Sequence, residues 1–437
     1  MRHVIIGNGI TGITAARVLR QRDGDAEIVI VGDETRYLYA RTALMWIHMR
    51  QLTARAAEPY ERWFWRENRF TLVHDRVTAL DTEGRKLSCG SGGEIAYDTL
   101  LLAVGASPNM FGWPGQELAG VCNMTAMGDL ARLSAVRPRL RSAVVVGGGL
   151  IGVELVEMML HDRVPVTYLI REPWYWNMVL SREEAGIVHE RMRRHGVSLI
   201  LEDEIGSIDG DDHGRVKGVT TRAGVDLPCE LVGIAVGVHP NVALAREAGI
   251  ACGRGILVDE AMRTSAPGVF AAGDCAEIRQ AQGPGRVEQL WYTGIKQGRA
   301  AGRSMLGDRV TYDPGIPYNS AQFLLLDYVN VGWMNLARYP PPASLTGRQL
   351  SAESGELGLE EVYHPAPHGA PDSVRASFLP ETGQVLGFSM LGSRWDSRVL
   401  MRWIEERRPL GWALENLDRA VFNEELRQNR FAGGIHA

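Results

Sequence analysis

A short apolar run, His3 to Ile6, opens the chain and ends at Gly7-Asn8-Gly9-Ile10-Thr11-Gly12. Apolar residues then recur at helical spacing through Ala15, Ala16, Val18 and Leu19, and a second apolar run covers Ile28 to Val31. The pattern predicts strand, glycine turn, helix, strand. The same order returns at Ala143: the run Ala143 to Val146, the turn Gly147-Gly148-Gly149-Leu150-Ile151-Gly152, a helix through Leu155, Val156, Met159 and Leu160, and a strand from Val166 to Ile170. Two further apolar runs end in glycine, Leu100 to Gly105 and Leu231 to Gly237. Beyond Tyr312 the pattern changes. Asp313-Pro314-Gly315-Ile316-Pro317 reads as a linker. Strands are then expected over Phe323–Leu326, Val329–Trp333, Arg375–Leu379 and Val385–Leu391, with a hairpin turn at Glu381-Thr382-Gly383-Gln384. Residues Arg338 to Pro371 read as loops, and Ser397 to Leu426 as helical.

The glycine spacing carries chemistry. Gly7 permits a tight turn, Gly9 lets backbone approach a pyrophosphate, and Gly12 lets helix pack on strand. The helix start then offers unpaired N–H groups and partial positive charge to phosphates. An acid about 20 residues on is expected to bind a ribose. Asp33 and Glu34 lie 21 and 22 residues beyond Gly12. Gly147, Gly149 and Gly152, with Leu150 and Ile151 opening the helix, repeat the arrangement.

Composition narrows the field. At 437 residues, two to four domains are expected. A net charge of −5 speaks against nucleic-acid binding through a basic field. Lys86, Lys217 and Lys296 are the only lysines, so a site that needs one has few candidates. No leader pattern follows Met1 and no apolar stretch reaches bilayer length, so neither a signal peptide nor a spanning helix is expected. Cys89, Cys122, Cys229, Cys252 and Cys275 form no close pair, which leaves no local redox disulfide and no short-spaced metal site. Buried thiols and a cytoplasmic location are expected.

The remaining motifs resemble the pyridine nucleotide-disulfide oxidoreductase superfamily, in particular its disulfide-free branch of rubredoxin and ferredoxin reductases and the flavin half of nitrite reductases. The resemblance runs over residues 1 to about 312. It rests on Gly32-Asp33-Glu34 followed by Tyr39-Ala40-Arg41, on Ala103-Val104-Gly105 with Pro108, on Gly237 with Pro240-Asn241, and on Thr264 to Asp274. The resemblance implies an FAD domain split around an inserted NAD(P) domain, both Rossmann-like α/β folds, with a C-terminal α+β domain. The expected limits are 1–115 and 240–312 for FAD, 116–239 for NAD(P) and 313–437 for the last domain. It also implies that Glu34, rather than Asp33, holds the adenosine ribose, that Arg41 lies near the flavin pyrophosphate, and that Gly273 and Asp274 meet the ribityl chain. The helix after Trp291-Tyr292 points at the flavin by the same resemblance, and the expected FAD contacts include Val77.

This chain also departs from that pattern. The stretch Tyr39 to Trp46 holds no cysteine, so thiol relay is not expected. Trp46 stands where the branch often has a lysine that pairs with the residue at Glu154, and Leu150 stands where some relatives carry a tyrosine. Glu154 is kept as a nicotinamide-site residue. Arg171, at the end of the second unit's second strand, suits a 2′-phosphate. Glu172 would repel that phosphate unless it turned away, and the balance leans to NADPH.

The expected enzyme is an FAD-dependent NAD(P)H oxidoreductase that passes electrons to a small redox protein such as rubredoxin or ferredoxin. Three alternatives stay open: a quinone or oxygen oxidoreductase, a persulfide reductase using Cys275, and a redox-sensing flavoprotein whose main role is binding. Relatives use their last domain for dimerisation or partner docking, which admits a homodimer. Leu400, Met401, Trp403 and Ile404 beside Arg398, Arg402, Arg407 and Arg408 fit a membrane-surface helix or, more ordinarily, a helix packed on its own domain.

Overall fold

The computed structural model describes residues 1–280, 285–335, 339–350, 357–365 and 372–422. Two units form. The first joins Met1–Gly112, Gly120–Arg139 and Ile234–Pro314; the second joins Trp113–Ala119, Leu140–Gly233 and the chain from Gly315.

Unit one is built on a five-stranded parallel sheet in the order Val269–Ala271, Thr99–Leu102, Arg2–Ile6, Glu27–Gly32, Phe70–His74. The inner strands are continuous apolar runs because both faces are covered; Val4, Ile5, Leu100 and Leu101 are fully buried. Two helices, Ile10–Arg22 and Trp291–Met305, pack against each other on this sheet. Close approach is possible because Gly294, Gly298 and Gly302 recur every fourth residue on the second helix. A Cβ there would lie 2.8 Å from Thr11 Oγ1, 2.5 Å from Thr11 O and 2.9 Å from Ala15 O, respectively. Within this unit Ala106–Pro108 pairs with Val238–Pro240 in a two-stranded antiparallel ribbon. Asn241 Nδ2 donates to Val104 O at 2.8 Å and Ser107 Oγ to Asn241 Oδ1 at 2.7 Å, which fixes the ribbon to the end of Thr99–Leu102.

Unit two holds a second sheet in which Ser198–Leu201, Val166–Ile170, Ala143–Val146 and Leu231–Ile234 follow in order. Its helices include Leu150–His161 and Arg182–Arg194, the latter started by a capping box between Ser181 and Glu184. The same unit contains a five-stranded antiparallel sheet, Tyr318–Phe323, Leu326–Gly332, Val385–Gly392, Ser373–Phe378 and Glu360–Pro365. Leu400, Trp403 and Ile404 of the helix Ser397–Glu405 are buried in that sheet's core, so the apolar side of this helix packs on its own domain.

Three sequence expectations change here. Phe323–Leu326 is not one strand. Leu324 and Leu325 form the tip of a hairpin at φ +52° and +61°, and Leu325 is 76% exposed. An all-leucine run hides such a turn, since the residues that usually announce one are absent. Arg338 to Pro371 is not all loop: among its described residues it has the strand Glu360–Pro365 and the short helix Ala343–Thr346. The helical stretch from Ser397 breaks after Glu405, where Arg407 takes φ +55° ahead of Pro409, and resumes at Leu410; residues 423–426 lie outside the described residues.

Candidate functional sites

In unit one the first glycine turn sits between the strand Arg2–Ile6 and the helix Ile10–Arg22. Gly7 has φ +110°, and a Cβ on it would lie 2.1 Å from Ala103 O. A Cβ on Gly12 would lie 2.1 Å from Gly7 O. Both glycines are therefore demanded by the protein's own packing. Gly9 differs: no atom lies within 4 Å of where its Cβ would be. It is also the N-cap of the helix, with no side-chain capping bond. Bare backbone facing open space at a helix start fits an anionic ligand. Gly105, at φ +68° and equally open, follows the neighbouring strand Thr99–Leu102. Asn8 Nδ2 donates to Thr35 O, which ties the turn to the loop carrying the acid.

That loop presents Glu34 rather than Asp33. Asp33 is exposed, with Arg76 at 3.9 Å. Glu34 is drawn inward by the Tyr39 hydroxyl, by Arg41 at 2.6 Å and by the Met127 backbone N–H at 3.0 Å. Arg41 also donates to Thr125 O. Asp274 follows Gly273, whose φ is +81° and whose Cβ would lie 2.5 Å from Thr11 Oγ1. Burial pushes the Asp274 carboxyl up to about 6, and Arg41 partly opposes the shift. Glycine turn, Glu34, Arg41 and Asp274 thus converge in unit one. Gln297 Oε1 accepts the Gly273 N–H at 2.7 Å, and its amide donates to Glu288 at 3.0 Å. Trp291 and Tyr292, both half-buried, form the first turn of their helix. Val77 opens the strand Val77–Asp81 and lies half-buried against the core. Gly237 also falls in this unit, at φ +90° beside Asn109.

The second turn, in unit two, repeats this logic. Gly147 has φ +113°, and a Cβ on Gly152 would lie 2.2 Å from Gly147 O and 2.5 Å from the Tyr168 hydroxyl. Gly149 faces open space and caps the helix Leu150–His161 without a side-chain bond. Leu150 and Ile151, both half-buried, form the first turn of that helix. The Tyr168 hydroxyl donates to Gly147 O at 2.7 Å, and Trp176 N–H to Gly148 O at 3.0 Å. Spacing alone gives no sign of either. Arg171 is paired with Glu172 at 3.0 Å, and a Cβ on Gly148 would lie 3.6 Å from Glu172 Oε2. Glu172 therefore lies toward the turn.

Glu154 and Glu157 lie three residues apart on that helix. Burial, reinforced by Glu157, pushes Glu154 up to about 7; burial does the same to Glu157, opposed by the Leu324 N–H that its carboxylate accepts. A raised folded-state value means that the folded chain binds more protons than the unfolded one between the ordinary 4.5 and about 7. Stability falls as pH rises through that window. Glu154→Gln is expected to raise the melting temperature at pH 8, with the gain shrinking towards pH 4.5. Melting curves at the two pH values check this, and equal gains at both would exclude a titrating Glu154.

Cys275 is fully buried, its Sγ 3.3 Å from Leu102 O, and burial raises its thiol to about 12. Burial of this kind disfavours the thiolate that a persulfide route through Cys275 would need. All five cysteines are free. Among the described residues no cluster of three or more His, Cys, Asp or Glu side chains is placed to hold a metal, and no helix is long and apolar enough to cross a membrane.

Two sheets with parallel strands, each leading into a glycine turn with open backbone at Gly9 or Gly149, define a chain built on two dinucleotide-type folds. The chain belongs to the pyridine nucleotide-disulphide oxidoreductase family, whose model matches residues 1–298. It is 34% identical over 316 residues to the ferredoxin–NAD(+) reductase component of a biphenyl dioxygenase system from Paraburkholderia xenovorans, covering 70% of this chain and 75% of that protein. It is 31% identical over 281 residues to a rubredoxin–NAD(+) reductase from Pseudomonas putida, covering 64% and 73%. The crystal structure of the ferredoxin reductase for the CYP199A2 system from Rhodopseudomonas palustris superposes with a TM-score of 0.78 at 25% identity, covering 89% of this chain and 91% of that one.

Proposed function

We propose that this chain takes a hydride from NADH onto FAD and passes the electrons to a small iron-containing redox protein of the ferredoxin or rubredoxin kind. The observation that carries the reading is the pair of glycines, Gly9 and Gly149, left bare where no protein atom needs them to be. The names of the relatives support the acceptor. FAD, when bound, accepts two electrons from a nicotinamide and releases them singly.

In this reading unit one holds FAD. The turn Gly7–Gly12 and Arg41 face its pyrophosphate, Glu34 its adenosine ribose, and Asp274 its ribityl chain. Ala103, Val104 and Gly105 leave backbone room beside it, Val77 is among its contacts, and the helix starting at Trp291 presents its positive end. Unit two holds the pyridine nucleotide on Gly147–Gly152, with Glu154 at the nicotinamide. These residues bind and orient; no side-chain proton donor is required for hydride transfer. A cytoplasmic location fits five unpaired thiols.

Arg171 by itself favours NADPH. Its pairing with Glu172, and the position of Glu172 toward Gly148, favour NADH instead. A carboxylate there accepts bonds from ribose hydroxyls and repels a 2′-phosphate. Glu172→Ala is expected to free Arg171 and improve kcat/KM for NADPH about tenfold while weakening NADH use. Steady-state kinetics with both nucleotides check this; an unchanged ratio would remove Glu172 from the specificity argument.

The test of the function is anaerobic. Purified protein is mixed with NADH while flavin absorbance is followed, then with oxidised ferredoxin, rubredoxin or air. Rapid bleaching followed by faster reoxidation with either protein than with air is expected. Rapid reoxidation by air alone would make oxygen the acceptor, and no bleaching would overturn the reading.

A further inference from the structure

Trp176 occupies a backbone conformation that side chains rarely adopt, φ +52°, in the loop between the strand Val166–Ile170 and the helix Arg182–Arg194. Such a conformation persists where its surroundings hold it, and it tends to mark functional loops. This loop is bonded to the second glycine turn: Trp176 N–H donates to Gly148 O at 3.0 Å. Trp176 O in turn accepts the N–H of Val179 at 2.8 Å and of Leu180 at 2.9 Å. Val179 O accepts Arg375 Nη2 at 2.6 Å. An unbroken hydrogen-bonded path therefore runs from the glycine turn to the antiparallel sheet that carries Arg375.

The far end of this path is buried and fully bonded. Arg375, 4% exposed, donates Nε to Glu184 at 2.9 Å and Nη1 to Glu361 at 2.8 Å. Glu184 is fully buried, and its other oxygen accepts Ser389 Oγ at 2.6 Å. The guanidinium fork thus serves three acceptors at once, which a lysine ammonium cannot match in geometry. Two ring contacts reinforce the path: Trp176 meets Tyr328 edge-on at 5.2 Å, and Tyr175 meets Phe323 at 5.9 Å. Both partners belong to the same antiparallel sheet.

We propose that the C-terminal sheet clamps the pyridine-nucleotide loop, with Arg375 as its positioning residue for nucleotide binding. The inference rests on reading Gly147–Gly152 as the NADH site. It gives the C-terminal sheet a part in forming that site, separate from any docking role. Arg375 touches no substrate; it acts by holding the 171–180 loop, and through Trp176 the carbonyl of Gly148, in the binding geometry.

Two variants of the full-length holoprotein test it. Arg375→Lys keeps a cation beside Glu184 and Glu361 but deprives Val179 O of its donor. The double variant Arg375→Met with Glu184→Gln removes both buried charges if the first variant fails to fold; Glu361, partly exposed, keeps the Asn335 N–H that it accepts at 2.7 Å. NAD+ binding is measured by calorimetry, and NADH-driven flavin reduction by stopped flow. The expected result is a dissociation constant raised about tenfold, with the loss falling on nucleotide affinity and not on the limiting rate or on FAD content. A folded variant that binds NAD+ within twofold of wild type overturns the inference, whatever its melting temperature. Wild type that binds no NAD+ would instead refute the nucleotide-site reading on which it stands.

Discussion

Gly152→Ala is expected to give a yellow protein that NADH reduces with no more than about a hundredth of the wild-type kcat/KM, the size of loss that a misplacement of about 1 Å produces. The added methyl has nowhere to go. It would sit 2.2 Å from Gly147 O and 2.5 Å from the Tyr168 hydroxyl, and these two are already bonded to each other. Either the turn opens or Tyr168 withdraws, and both alternatives move Gly149, the open backbone proposed to meet the nucleotide's phosphates. Flavin content should be preserved, because the first glycine turn belongs to the other unit. Extraction and absorbance measure FAD, and steady-state kinetics measure kcat/KM. A variant that reduces normally would show that the turn tolerates displacement.

Gly7→Ala is expected to produce a colourless protein, with FAD content below about a tenth of wild type. At φ +110° an alanine is strained before any contact is considered. Its methyl would also lie 2.1 Å from Ala103 O. Ala103 is the residue through which the strand Thr99–Leu102 runs on towards Gly105, so the collision disturbs two backbone segments of the same site. A loss of about 3 kcal/mol corresponds to more than a hundredfold in affinity. Absorbance of the purified variant, before and after incubation with added FAD, checks the prediction. Full retention of FAD would mean that the turn rearranges without harm.

The parts that were legible in the sequence are those where one local rule decides the outcome. Glycine spacing after an apolar run placed both turns, since each glycine answers a steric demand within a few residues. Glu34 over Asp33 came from the resemblance, and the structure shows Tyr39, Arg41 and Met127 gathered on Glu34 while Asp33 faces solvent. What could not be read depends on pairs far apart in the chain. Arg375 meets Glu184 across 191 residues and Gln297 meets Gly273 across 24, and no periodicity announces either. The hairpin at Leu324–Leu325 escaped because leucine is not a turn residue; Glu157 and Arg191, which bind its N–H and C=O, lie far away in sequence. Arg171 was legible as a cation, but its commitment to the adjacent Glu172 was not, because neighbouring side chains can point apart.

Thr11 is the place where two helices and one loop meet. Gly273 and Gly294 stand against its side chain and Gly298 against its carbonyl. Crowding in a protein is usually relieved over evolutionary time by a paired change, one residue growing as its neighbour shrinks. Here the neighbours are already at the smallest size available. A larger residue at position 11 has no second-site suppressor among them, so descendants of this chain can explore position 11 only downward in volume, to serine, alanine or glycine.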